Sequence, residues 1–190
     1  MSERTIGVVV EDGTSQGIVS TIQRLESAGV PAAWMISASG PCDVLTVFAA
    51  AVVQTERIRL GTSIVRSWSR HPITLAEQAR AVWELAPGRL ALGVGPAHKA
   101  SMEHDFGQAY DRPLGHLEEY VRVLKDLLQG GEVNLAGNFY TARAKAGTGL
   151  DIPVHASALR PRSFELCGRA ADGAITWVCP LDYVRDQALP

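Results

Sequence analysis

The chain has 190 residues, with 18 Lys+Arg against 20 Asp+Glu, a formal net charge of −2. Hydrophobic residues make up 46% and charged residues 20%, a globular balance that argues against wholesale disorder. Acid and base are nearly matched and no basic run occurs, so a nucleic-acid binder is a poor reading. The longest apolar stretch, around Val44 to Val53, falls short of the roughly eighteen residues a membrane span needs.

The start, Met1-Ser2-Glu3-Arg4, lacks the basic region and long apolar run of a secretory leader. Three cysteines, Cys42, Cys167 and Cys179, form no CxxC and read as idle thiols in a reducing compartment. The expectation is a soluble, cytoplasmic protein of one domain.

Hydrophobic period gives the elements in chain order. An apolar run over 5–10 predicts a strand, and 18–27 a helix. A second strand is expected over 32–37, a helix over 43–53 and a third strand over 58–65. Pro72 opens a helical pattern that Pro87-Gly88 ends. A fourth strand over 90–94 is followed by a polar stretch, 99–111, and then by the clearest helix. There Leu114, Leu117, Val121, Leu124 and Leu128 recur three and four apart between Pro113 and Gly130-Gly131. Residues 133–140 read as a hairpin turning at Ala136-Gly137-Asn138. A strand over 152–157, a helix over 163–171, a strand over 174–178 and the opening of another helix at Leu181 complete the pattern.

Strand and helix thus alternate about six times, and the strands are continuously apolar. That predicts a parallel sheet buried on both faces, either open and doubly wound or a (β/α) barrel. A full eight-unit barrel takes about 250 residues, so a barrel here would stop near unit six, with the hairpin inserted ahead of strand five.

Chemistry concentrates at the ends of the predicted strands. Gly93-Val94-Gly95 resembles the start of a dinucleotide fingerprint, but His98 stands where GxGxxG needs glycine. The other reading is that these glycines let the backbone approach a bound ring or phosphate. After the third strand, Arg66, Arg70 and His71 could neutralise an anion, or be a solvated loop before a helix. Ser157-Ala158-Leu159-Arg160-Pro161-Arg162 sits at a strand-to-helix turn where amides and two arginines could hold a phosphate. His98, Glu103, His104, His116 and His155 have no HExxH or matching Cys/His spacing, which disfavours a metal site. No GxSxG occurs.

Three segments together resemble the bacterial luciferase-like superfamily of flavin- and coenzyme F420-dependent oxidoreductases. They are Thr55-Glu56-Arg57-Ile58-Arg59-Leu60-Gly61-Thr62-Ser63, His71-Pro72, and Gly88-Arg89-Leu90-Ala91-Leu92-Gly93-Val94-Gly95-Pro96. Arg112-Pro113 and Ala170-Ala171-Asp172-Gly173-Ala174 add to the likeness, which runs from about Ile6 to Pro190 in order. Within it, Gly93 to Ser101 followed by Phe106-Gly107 looks most like the methylenetetrahydromethanopterin reductase branch.

The resemblance implies a TIM (β/α)8-type barrel, usually homodimeric, holding a deazaflavin or flavin at the C-terminal ends of its strands. It implies a non-prolyl cis bond at Ser63–Ile64, and cofactor contacts from Ser63, Ile64 and Val65, from Gly95, Pro96 and Ala97, and from Ser157, Ala158 and Leu159. The acid that the reductase branch carries near the end of strand one is not matched; Gly7-Val8-Val9 stands there, with Glu11 and Asp12 just beyond. His98 replaces the acid expected after strand four. Candidate catalytic groups are therefore His98, Glu11 and Asp12, with histidine the type that titrates nearest neutrality.

The implied function is hydride transfer between F420 and a small organic substrate. Alternatives are an FMN-dependent monooxygenase and a non-catalytic flavin-binding or partner subunit. A sugar-phosphate isomerase on a related barrel is a further possibility, since fold does not fix function.

Overall fold

The computed structural model describes residues 6–11, 13–37 and 42–188. Six consecutive strand positions line up in one parallel sheet, each beside the next in the chain. β1 (Gly7–Val9) pairs with β2 (Ala32–Met35), and β2 with β3 (Arg59–Thr62). The expected third strand is not continuous. It breaks at Ser63–Ile64, where the peptide bond is cis, and resumes as β4 (Val65–Arg66). Both β3 and β4 pair with β5 (Leu90–Gly95). The predicted hairpin is longer than its sequence reading, with β6 (Glu132–Ala136) antiparallel to β7 (Thr141–Lys145). Beyond it, β8 (Val154–Ala158) pairs with β5, and β9 (Gly173–Thr176) with β8.

Helices follow the strands in the order a barrel requires. Thr14 Oγ1 accepts from Gly17 N–H to cap α1 (Ser15–Ser27), and Asp43 Oδ1 accepts from Thr46 N–H to cap α2 (Val44–Val52). Proline opens α3 (Pro72–Leu85), α5 (Pro113–Leu128) and α6 (Pro161–Ala170), where the missing N–H would have found no acceptor. The polar stretch after β5 forms α4 (Lys99–Phe106), which periodicity did not reveal. Only Met102 of this helix is buried, so no apolar stripe marks it, and Gly107 ends it at φ 61°. After Leu181 the chain makes a short helical turn, α7 (Leu181–Tyr183), and a wider one to Ala188. No described helix is long and apolar enough to cross a membrane.

One face of the sheet packs against the helices. Ala33, Met35, Leu60, Leu92, Val94, Val154 and Ala156 alternate onto it, against Phe48, Leu75, Leu117 and Leu124. The other face is the inside of the barrel, and it is rich in glycine. Trp34 lies across Gly7 and Gly61: a Cβ on either would meet the indole at 2.5 or 2.4 Å. The Trp34 ring stacks toward His155 at 6.4 Å between centroids. Two large rings thus fill space that glycines leave open, and burial depresses the His155 pKa below its ordinary value.

Three carboxylates tie loops to the framework. Glu26 accepts backbone N–H bonds from Glu56, Arg57 and Ile58 at the entry to β3. Glu119 does the same for Asn138, Phe139 and Tyr140 at the hairpin turn. Asp172 accepts from Val154 N–H and from Lys125 and Gln129. In each, desolvation alone would raise the pKa, but the converging donors outweigh it and hold the group below the usual carboxylate range.

Candidate functional site

A cavity of about 1140 Å³ opens at the C-terminal ends of the strands. Its floor comes from the break between β3 and β4 and from the ends of β5, β8 and β9. Its walls come from His98 and Tyr110, on either side of α4, and from the first turns of α5 and α6. Barrel enzymes build their sites at this end, because loops there vary without disturbing the strands.

The floor is held by an interlock between neighbouring strands. Thr62 Oγ1 donates to Gly93 O at 2.7 Å and accepts from Gly93 N–H at 2.8 Å. One buried hydroxyl therefore serves both main-chain groups of Gly93 beside the Ser63–Ile64 bond. The glycine at 93 is required by the protein itself: a Cβ there would lie 2.0 Å from Thr62 O and 2.3 Å from Ile175 Cδ1. That corrects its reading as a gap for a ligand. At Gly95 a Cβ would meet Ser157 Oγ at 2.2 Å and Ile64 Cδ1 at 3.2 Å, and both of those residues line the cavity.

The structure gathers most of the sequence-derived residues into this wall. Ser63, Ile64, Pro96, Ala97, Ser157 and Leu159 line it, as does His98. Val65 and Ala158 are buried on the helix-facing side, and Gly95 lies beneath Ser157. Ala97 takes a left-handed φ of 58°, with its carbonyl accepting from Tyr110 Oη at 2.9 Å. His98 follows as the exposed residue preceding α4. Glu11 is exposed just past β1 and does not line the cavity; Asp12 lies outside the described residues.

The arginines sort themselves by partner. Arg70 is engaged by Asp43 and by Gln78 at 2.8 Å, and His71 Nδ1 accepts from Ile73 N–H at the start of α3. Of that trio only Arg66 lines the cavity, joined by Arg160 and Arg162 from the start of α6. The amides of Leu159 and Arg160 are not open to a phosphate, because both donate to Ser163 Oγ, at 3.0 and 2.9 Å. What this turn offers an anion is its two guanidinium groups, since Pro161 has no N–H and the amides of Ser163 and Phe164 donate to Arg160 O. No carboxylate is among the described lining residues.

Behind the wall lies an aromatic cluster that sequence reasoning did not assemble. His116 stacks on Trp68 with 3.5 Å between ring centroids and 4° between planes. Its Nε2 lies 2.6 Å from Tyr140 Oη and its Nδ1 3.4 Å from Ser67 Oγ. Burial pushes its pKa down to about 4, so the ring is neutral at pH 7, one nitrogen donating and the other accepting. Trp68 also tilts against Tyr110, which connects the cluster to the cavity. His116, against Trp68, and His155, beside Trp34, are in separate surroundings. Among the described residues no three His, Cys, Asp or Glu side chains are placed to hold a metal ion.

The likeness to known proteins is consistent with this architecture. The profile of the luciferase-like monooxygenase family matches residues 6–188. The chain is 26% identical over 195 residues to 5,10-methylenetetrahydromethanopterin reductase from Methanopyrus kandleri, covering 92% of this chain and 56% of that protein. It is 32% identical over 132 residues to F420-dependent glucose-6-phosphate dehydrogenase from Nakamurella multipartita, covering 65% and 38%. An F420-dependent secondary alcohol dehydrogenase, solved with an F420-acetone adduct, superposes with a TM-score of 0.85 at 20% identity, covering 98% and 62%. The chain spans about half the length of the relatives it matches. A family profile matched over nearly the whole chain, residues 6–188, makes this protein a member of the luciferase-like monooxygenase family.

Proposed function

We propose that the chain is the cofactor-binding part of an oxidoreductase that uses the deazaflavin coenzyme F420 on a small organic substrate. The observation that carries this reading is the cavity's chemistry: the arginine pair Arg160 and Arg162 and no carboxylate among its described lining residues, around a largely apolar interior. A planar, anionic cofactor meets that lining well. Apolar walls from Ile64, Leu114 and Leu117 suit the ring system. Arg160 and Arg162 suit a phosphate beyond it. The relatives named for F420 support the same choice.

When bound, the deazaflavin supplies a two-electron hydride donor or acceptor, and the protein's part is orientation and exclusion of water. Ser63 and Ile64 form the floor on which a ring would rest, and the Thr62–Gly93 interlock keeps that floor fixed. Pro96 and Ala97 form the adjoining rim. His98, exposed at the rim, is the group placed to give or take a proton at its imidazole; Glu11 stands outside the wall.

A parallel titration of the purified chain with F420 and with FMN tests the reading, with Trp177 in the cavity lining as the fluorescent reporter. Micromolar binding of F420 over FMN is expected. Preference for FMN would transfer the site to oxygen chemistry, and failure of both to bind would remove the cofactor assignment.

A second reading is favoured by the lack of a carboxylate among the described lining residues: a chain that holds the cofactor without turning it over, as one subunit of a larger assembly. Tight F420 binding with no substrate-dependent change in its absorbance across a panel of alcohols and aldehydes would identify it. Association as a homodimer belongs with this proposal and is measured by sedimentation.

A further inference from the structure

The cavity has two cationic poles. One is Arg160 and Arg162, at the start of α6 after β8. The other is Arg66, at the end of β4. β4 pairs with β5 and β5 with β8, so the poles are carried two strands apart, about 10 Å at ordinary strand spacing. The two poles thus stand on different segments of the wall.

Arg66 is the less satisfied of the two. Its guanidinium carbon lies 4.8 Å from the centre of the Phe106 ring, so one face is used in a cation–π contact. The donors around its edge are not. Nε is buried and has no hydrogen-bond partner, and no carboxylate among the described residues lies within ion-pair distance of the side chain. The acid whose charge reaches it, Asp105, is already bonded to Ser101 Oγ at 2.7 Å and to His104 at 2.8 Å, and is half-exposed. A buried guanidinium N–H without an acceptor is costly, and a planar bidentate anion is what its fork geometry accepts best.

The surroundings of Arg66 define the rest of such a ligand. Phe106 lies under the guanidinium, and Tyr110 lines the same cavity and tilts against Trp68, two residues along from Arg66. Leu114 continues that wall on α5.

We infer that Arg66 anchors the substrate, and that the substrate is a small organic carboxylate with a planar or apolar body. Its carboxylate accepts two N–H bonds from the guanidinium while its body lies along Tyr110 and Leu114, which brings it alongside the floor at Ser63 and Ile64. The inference rests on the F420 reading in one respect: the cofactor's phosphate occupies the Arg160–Arg162 pole and leaves Arg66 to the substrate.

The test uses benzoate as the probe and benzyl alcohol as its neutral counterpart, titrated into the F420-loaded chain and followed by calorimetry. Benzoate binding is expected, weakened about tenfold or more in Arg66→Met and by less in Arg66→Lys, which keeps the charge and loses the fork. F420 affinity is expected to stay within about twofold in both, since the change removes one distant donor set. The Arg160→Gln/Arg162→Gln double variant should show the reverse, weakened F420 and retained benzoate. Benzyl alcohol should not sense position 66.

Unchanged benzoate affinity in Arg66→Met would overturn the inference, as would displacement of F420 by benzoate one for one. So would a loss of F420 affinity in Arg66→Met that spares a deazaflavin lacking the phosphate and glutamate tail, because Arg66 would then serve the cofactor. If F420 does not bind the unaltered chain, the proposed function fails by itself, and benzoate titration of the unloaded chain still decides the role of Arg66. Circular dichroism checks folding; should Arg66→Met not fold, a threefold or greater loss in Arg66→Lys, within the range for losing one ordinary hydrogen bond, supports the inference and its absence refutes it.

Discussion

Thr62 and Gly93 satisfy each other through one hydroxyl, which donates to the glycine's carbonyl and accepts from its amide at 2.7 and 2.8 Å. The side chain stands in for strand pairing at the place where β3 ends and β4 has not begun. Thr62→Val keeps the shape and leaves two buried polar groups without partners. It should destabilise the fold by about 2–4 kcal/mol, read by urea denaturation, while Thr62→Ser should recover most of the loss. Equal stability of the valine variant would mean that backbone or water bonds serve Gly93 instead.

The two glycines of β5 should respond differently to a methyl group. At Gly93 the obstacle is main chain, Thr62 O at 2.0 Å, which cannot move without breaking the interlock. At Gly95 the obstacles are side chains, Ser157 and Ile64, both facing the cavity. Gly93→Ala is expected to cost about 1–3 kcal/mol or more in stability. Gly95→Ala should cost less stability and instead weaken F420 binding by displacing Ser157 and Ile64. Parallel thermal melts and F420 titrations separate the two effects.

His116 makes stability depend on pH in a defined window. Burial depresses its pKa to about 4 in the folded chain, against the ordinary value of 6.5 when unfolded. Between those values the unfolded state binds the extra proton. The contribution is therefore complete above pH 6.5, shrinks as pH falls and is gone below about 4. The total is on the order of 3 kcal/mol. His155, depressed in the same direction, adds to the slope. Denaturation of His116→Phe from pH 7 to 4 should give a visibly flatter stability curve than the unaltered chain. An unchanged curve would show that His116 remains protonatable in place.

Glu119 holds the hairpin turn through three backbone N–H groups, two of them from Phe139 and Tyr140 of the aromatic cluster. Glu119→Ala should cost about 1–3 kcal/mol and release amide protons of residues 138–140 to faster exchange, with β8 and β9 unaffected. Hydrogen exchange resolves this locally.

How much of this was legible in the sequence follows from where each signal resides. The leucine stripe of α5 and the apolar strands carry their period in neighbouring residues, so the parallel order of strand and helix could be read directly. α4 could not, because a helix with one buried residue has no stripe. The carboxylate clamps could not either: Glu26 and Glu119 bind main-chain amides about thirty and twenty residues away, and an amide has no sequence signature. Arg66, Arg70 and His71 looked equivalent as a group of cations. Only the fold shows that Asp43 takes one and a helix cap the second, leaving the third facing the cavity.

The strand order has a consequence for biosynthesis. Along the sheet, β1, β2, β3, β5, β8 and β9 lie in the sequence in which they are translated. Each new strand finds its partner already made, with a single α-helix between in most steps and α4, α5 and the β6–β7 hairpin between β5 and β8. A chain emerging from the ribosome can therefore assemble the sheet by successive addition at one growing edge, without waiting for a distant segment to return. The separations closed are modest except between β5 and β8, where α4, α5 and the hairpin intervene, and the entropic cost of closure grows only slowly with length. The cavity matures last, because its α6 arginines and the β9 edge arrive only after the floor at Thr62 and Gly93 is locked.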